Sequence, residues 1–356
     1  MSNLNMTHII CFVAIAGVWL FISCRGNNDK GKSDAANPDN LGNGFVKKMD
    51  TVWFYDIALE NVDPLSFVIV DDYFFKDKYH VCFFETYRLS QDYFMSKRKR
   101  YLHLEKADPA SFESLGDGYA KDKFTAWYLD KTFKVEDLKS LTVLNHHFIK
   151  DNKTAYLDRK MIGGSDGKTF EVISDHYAKD FKKYYYCTPF DGQYEIKPIP
   201  CHYESFVVVD YQYAKDKSSV FYESDKISKA SSSSFELISY GYAKDRQHVF
   251  FRNVIVDKAD PSTFTVFTEN ENSMGETVYA KDKQSIFIND KRFPKADIAT
   301  FKILDEKYTI DKNGVYFRMI KVKNADPSTF KVFPHLIGDA DAEDKNHKYA
   351  DGKIVK

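Results

Sequence analysis

The sequence predicts an all-β fold built from tandem repeats of about 29 residues, each with short antiparallel strands and one helical turn. Three observations predict it. The chain is rich in Phe and Tyr, 30 and 24 among 356 residues, and these side chains favour strands. Two strings recur. One is Tyr-Ala-Lys-Asp, ending at Asp122, Asp180, Asp216, Asp245 and Asp282, with weaker copies ending at Asp77, Asp151, Asp311 and Asp344. The other closes on an apolar residue: Phe67, Phe112, Leu141, Phe170, Phe206, Phe235, Phe264, Phe301 or Phe330. The third observation is spacing. The apolar end and the following Asp are ten residues apart in seven of nine copies, and the next apolar end follows 19 later in six of eight. Insertions fall at about 85–105, 187–200, 269–276 and 338–342. Units that repeat at a fixed period and insert at few points read as stacked modules.

The elements follow in chain order. Ile9 to Ile22 is an unbroken apolar run, short for a bilayer span and suited to a signal-peptide core. It ends in Phe21-Ile22-Ser23-Cys24, which resembles the lipobox of bacterial lipoproteins. The resemblance implies a signal peptide over 1–23 and a lipid on Cys24. Phe21, and a leader without Lys or Arg, depart from that pattern. Residues 24–49 read as a flexible tether, being mostly polar and glycine-rich at first. Residues 50–356 form the repeat domain, with 51–84 as a degenerate first cap and 344–356 as a short last one.

Within a unit, a run such as Val249-Phe-Phe251 and a second such as Val254-Ile-Val256 make a hairpin. Asp260-Pro261 and Asp326-Pro327 then start one 3₁₀-like turn, with Asp capping and Pro at its first position. The closing Phe enters the core and opens a third run, such as Phe235-Glu-Leu-Ile238. Tyr-Ala-Lys-Asp then turns the chain, its Asp accepting nearby backbone N–H groups. Each unit thus has about three strands. An open hairpin solenoid is expected before a closed propeller-like ring, because such units are small for blades.

The strings Asp311-Lys-Asn-Gly-Val-Tyr-Phe317, Asp151-Asn-Lys-Thr-Ala-Tyr156 and Asp216-Lys-Ser-Ser-Val-Phe-Tyr222 resemble the DKNYY family over roughly residues 50–356. The resemblance implies a bacterial envelope repeat protein and supplies no catalytic residues.

A search for chemistry returns little. The net charge of −1 lacks the basic footprint of nucleic-acid binding. No His-x-His or His-Glu-x-x-His string offers a zinc site, and no nucleophile elbow or phosphate-binding loop occurs. The adjacent His146 and His147 read as loop or surface residues. Gly163 to Gly167 reads as a loop standing in for Ala-Asp-Pro-Ser-Thr. Repeated Asp suggests calcium at Asp122, Asp180, Asp216, Asp245 and Asp282, but these lie a whole repeat apart, so they read as turn caps, as do Asp151 and Asp311. Neither metal nor cofactor is expected. Cys187 and Cys201 bracket one insertion and are candidates for a disulfide in an exported protein, whereas Cys82 reads as a buried thiol. Tyr184-Tyr-Tyr186 and Trp127-Tyr128 are core or a binding face, with core favoured; Lys97-Arg-Lys-Arg100 reads as a solvated loop.

The functional expectation is a non-enzymatic binding or scaffolding lipoprotein, lipid-anchored in the bacterial envelope, with the outer membrane favoured and a protein or glycan partner. An envelope polymer-degrading enzyme and a purely structural spacer are the alternatives.

Overall fold

A computed structural model describes residues 39–355 except 90–96, 191–192, 268–276 and 338–339. The signal peptide, Cys24, most of the tether and the 269–276 insertion lie outside the described residues. Among the described residues, ten four-stranded antiparallel sheets follow one another, each a meander in strand order. They span 40–58, 68–103, 113–133, 142–161, 171–199, 207–226, 236–255, 265–293, 302–321 and 331–355, and are numbered sheets 1 to 10. The chain divides into two compact units: one runs to Val68 and includes Asp77–Tyr79, and the other takes Ile69–Lys76 and His80–Lys356. The fold is the all-β, solenoid-like repeat array that the spacing predicts.

Two expectations need correction. The tether is shorter than predicted, because Asn40–Gly42 and Phe45–Lys48 are already strands of sheet 1. Phe45 is fully buried and its ring stacks on Phe54, 4.8 Å away. Phe45-Val-Lys47 occupies the Tyr-Ala-Lys position, and its lack of Tyr hid an additional repeat. Each unit also has four strands rather than three. Tyr-Ala-Lys is itself a strand, as in Tyr242–Lys244, and the turn begins only at Asp. Three residues are too few to show a strand alternation in sequence.

That strand explains the stacking. Alternate side chains face opposite sides of a sheet. Tyr242 packs with Val249 and Phe251 against Phe264, Ala280 and Phe287 of the next repeat. Ala243 points the other way and packs with Phe250 on Tyr213, Val220 and Tyr222 of the preceding sheet. Tyr therefore faces forward and Ala backward, toward the preceding sheet. The predicted core positions Phe112, Leu141, Phe170, Phe206, Phe235, Phe264, Phe301 and Phe330 are all buried. The helical turn is 3₁₀ at Leu138–Ser140, Tyr203–Ser205 and Ser232–Ser234. In the Asp-Pro copies the same i to i+3 bond is made, from Thr263 N–H to Asp260 O and from Thr329 N–H to Asp326 O.

Candidate functional site

A four-stranded meander has two unlike ends. The turn between strands two and three, and the connection to the next sheet, lie at one end. The hairpins joining strands one to two and three to four lie at the other.

The first end is a fastening. Asp180 shows how it works. One carboxylate oxygen accepts the N–H groups of Lys182 and Lys183, both at 2.8 Å, and closes the turn. The other accepts the Asp166 N–H at 3.0 Å and the Tyr185 hydroxyl at 2.8 Å. The turn is thereby tied to the helical turn that precedes its sheet. The same long-range bond runs from Asp77, Asp122, Asp151, Asp216, Asp245, Asp282, Asp311 and Asp344 to residues 63, 108, 137, 202, 231, 260, 297 and 326. All nine carboxylates are buried. They act as predicted on the local turn, and the bond to the helical turn was not visible in sequence.

Burial alone would raise the Asp180 pKa. The N–H groups of Asp166 and Lys182, the Tyr185 hydroxyl and the Lys183 N–H outweigh it and hold the carboxyl below its ordinary value. Each Asp oxygen that a cation would need is already taken by donors.

The helical turn answers with a hydroxyl. Ser111 Oγ accepts the Lys123 N–H at 3.1 Å, and Thr300 Oγ1 accepts the Lys312 N–H at 3.0 Å. The lysine after the repeat Asp pairs with the Asp of the helical turn, as in Lys312 with Asp297 at 2.7 Å and Lys345 with Asp326 at 2.8 Å. Gly167 stands at the Pro position of this turn, as predicted. A Cβ there would lie 2.1 Å from the Asp151 carbonyl oxygen. The Tyr-Ala-Lys lysine couples neighbouring repeats: Lys76 donates to the Pro109 and Phe112 carbonyls, and Lys150 to that of Phe170.

The second end is where the chain varies. The 85–105 insertion lengthens the hairpin between Val81–Tyr87 and Arg98–His103. The 187–200 insertion lengthens that between Tyr184–Phe190 and Gln193–Ile199. The 338–342 insertion lies in the hairpin from Lys331–Ile337 to Ala340–Glu343. The 269–276 insertion is bounded by Thr265–Val266 and Tyr279–Lys281, strands one and two of sheet 8. All four therefore belong to the same end of their sheets. Lys97-Arg-Lys-Arg100, expected as a loop, is mostly strand; Arg100 pairs with Glu85 at 2.5 Å and lies over the Tyr87 ring.

At this end, sheets 4 and 5 enclose a cleft of about 340 Å³ lined by Asn145, His147, Phe148, Asp175, His176 and Tyr194. Both imidazoles are fixed from behind. His147 Nδ1 is 2.9 Å from Asp158 Oδ1, and its ring lies 4.2 Å from that of Tyr194. His176 Nδ1 is 3.1 Å from the Cys187 carbonyl oxygen, and its ring stacks on Tyr186 at an interplanar angle of 12°. As Nδ1–H donors, both leave Nε2 as an acceptor. The Tyr128 hydroxyl is 3.3 Å from His146 Nε2, and the Arg159 guanidinium covers the Tyr128 ring at 4.1 Å.

Sequence reasoning placed His146 and His147 in a loop but missed their convergence with residues 175, 176 and 194. The signal available was position: His147 and His176 each precede the second strand of their sheets. Among the described residues, no group of three or more His, Cys, Asp or Glu is placed to hold a metal ion. Among the described residues, the His147 ring is hydrogen-bonded to Asp158 and to no Ser, Thr or Cys side chain.

The remaining predicted residues resolve into structure. Tyr185 and Tyr186 are buried, as is Trp127. Cys187 and Cys201 are separate thiols, against the proposed disulfide. Cys187 faces Ile196 across its hairpin and packs with Phe148 and Phe170, whereas Cys201 lies five residues beyond Ile196 and packs with Phe206. Burial raises their thiols to about 12 and about 11. Cys82 is fully buried, as expected.

No curated protein and no solved structure matches the chain. A family model does match, three times in overlapping register, at residues 45–189, 135–240 and 213–353. Overlapping matches spread over nearly the whole described array are what a repeat produces, and the chain belongs to the DKNYY family.

Proposed function

We propose that this protein is a binding module, held at a bacterial envelope membrane through a lipid on Cys24, that presents the insertion-bearing end of its sheets to a ligand. One observation carries the reading: all four insertions fall between strands that are joined at the same end of their sheets, while the opposite end is committed to the Asp fastening. Loops on a rigid scaffold are where recognition is ordinarily placed. The cleft at residues 145–148, 175–176 and 194 lies at that end. The lipobox-like Phe21-Ile22-Ser23-Cys24 supports the anchor. Two or more acyl chains would hold the protein stably where one would not.

The test is fractionation and protease shaving of intact cells expressing wild type and Cys24→Ala. Wild type should partition with membranes and carry labelled palmitate. Cys24→Ala should lose the label and accumulate as precursor or in the soluble fraction. An unlabelled wild type, or a Cys24→Ala variant indistinguishable from it, contradicts the anchor. Shaving of wild type alongside known surface proteins would place the module outside the cell; resistance would place it in the periplasm.

A further inference from the structure

We infer that the ligand of this end is an uncharged, extended glycan lying along a ribbon of aromatic rings across sheets 3 to 6. The inference rests on the binding-module reading and names the ligand class. The ribbon begins at Tyr128, which meets His146 edge-on with ring centres 6.0 Å apart and has one face covered by Arg159. His146 is 5.0 Å from His147, which is 4.2 Å from Tyr194. Beyond the cleft, His176 continues the ribbon to Tyr211 at 6.1 Å. Tyr211 is 62% exposed. Stacked sheets lie about 10 Å apart, so a ribbon over four sheets suits an oligomer rather than one sugar.

The chemistry of the lining selects the class. Flat ring faces offer apolar contact to the C–H face of a pyranose while leaving its rim free. The rim meets hydroxyl acceptors: the exposed Asp175 carboxylate and the two imidazoles. Among the described residues no Lys or Arg lines the cleft; Arg159 is stacked on Tyr128 at the ribbon's end, and the nearby Asp158 and Asp175 disfavour polyanions such as uronates, teichoic acids or nucleic acids. The rings are also held before any ligand arrives, His147 by Asp158 and His176 by Cys187 O with Tyr186 beneath. Little side-chain freedom remains to be lost on binding.

The test uses the full mature chain and a panel of neutral hexasaccharides, including cellohexaose and chitohexaose, with polygalacturonate as the charged comparison. Titration calorimetry reads affinity. At least one neutral hexasaccharide should bind with a Kd of about 0.1–1 mM, and its monosaccharide should not bind measurably. Tyr211→Ala should weaken it about tenfold with an unchanged unfolding midpoint, since loss of one stacking ring is worth about 1.4 kcal/mol. Tyr194→Ala provides a second, independent position. Absence of binding across the panel, equal binding of polygalacturonate, or binding indifferent to both variants overturns the inference. A photo-crosslinking residue at position 211 in cells separates the two readings. Crosslinks to protein alone would retain the binding end and refute the glycan; no crosslink together with no glycan binding would remove both.

Discussion

Replacing Asp180 by Ala removes one carboxylate and strands four donors. These are the N–H groups of Asp166, Lys182 and Lys183, and the Tyr185 hydroxyl, all within 3.0 Å. The Tyr185 hydroxyl bond is buried, and a buried donor without a partner costs about 1–3 kcal/mol. The three backbone donors are partly buried, at the turn and at the start of the preceding helical turn; water can replace some of what they lose. The sum is a loss of about 3–5 kcal/mol, at the upper end for one substitution. Urea unfolding followed by far-UV circular dichroism measures it. Hydrogen exchange over 162–200 measures the same loss locally, which matters because repeat arrays need not unfold in two states. Asp180→Asn should cost less, because its amide oxygen can still close the turn while its NH₂ opposes the Asp166 N–H. Asp225→Ala, at an exposed hairpin, should stay within about 0.5 kcal/mol of wild type. A loss below about 1 kcal/mol for Asp180→Ala would refute the fastening argument.

Other consequences follow from the same contacts. Asp151, Asp180, Asp216 and Asp245 are held below the ordinary carboxylate value, and Asp344 is lowered to about 2, with N–H donors, joined by a hydroxyl in all but Asp245, overcoming burial. A depressed folded pKa contributes stability in full above the unfolded value and loses it as pH falls. Stability should therefore drop steeply between about pH 4 and pH 2 and stay flat, as far as these groups contribute, from about pH 5 to 7; urea midpoints across that range check it. Gly167→Pro restores the commonest string yet should destabilise by about 2–4 kcal/mol, because added atoms meet the Asp151 and Thr154 backbone; a calorimetric melt decides. Ala243→Leu should cost about 1–3 kcal/mol by forcing sheets 6 and 7 apart, visible as faster exchange in both. Tyr185→Phe should cost about 1–2 kcal/mol by removing a hydroxyl bond to a buried carboxylate.

The repeat, its period and its core Phe positions were legible because each is written many times. The reach of the Asp was not. Its partner lies 14 residues back in most copies, and a carboxylate that caps its own turn looks the same in sequence as one that also ties down another. The hairpins joining strands three and four were legible from their paired apolar runs, although their turns carry few of the usual signals. Leu129, Glu223 and Arg252 take left-handed backbone angles there, where sequence reading looks for Gly or Asn. Phe45-Val-Lys47 was missed because it keeps the pattern of forward and backward faces without the residues that spell it. The cleft joins residues from two repeats and an insertion, so no single string could announce it. His176 carried only a positional hint, two residues after Ser174 and immediately before Tyr177.

The measurement closest to the central claim is excision of one whole unit, residues 217–245, which joins Asp216 to Arg246 at equivalent turn positions. Within the larger unit, sheet 6 packs on sheets 5 and 7 and sheet 7 packs on sheets 6 and 8, and their fastenings stay within one repeat or reach its neighbour. The shortened protein should fold, keep its β circular dichroism and unfold with a denaturant dependence reduced roughly in proportion to the surface removed. Sheets 3, 4, 9 and 10 should retain their hydrogen-exchange protection. An unfolded or aggregated product, or loss of protection throughout the array, would contradict the account of repeats held only by their neighbours.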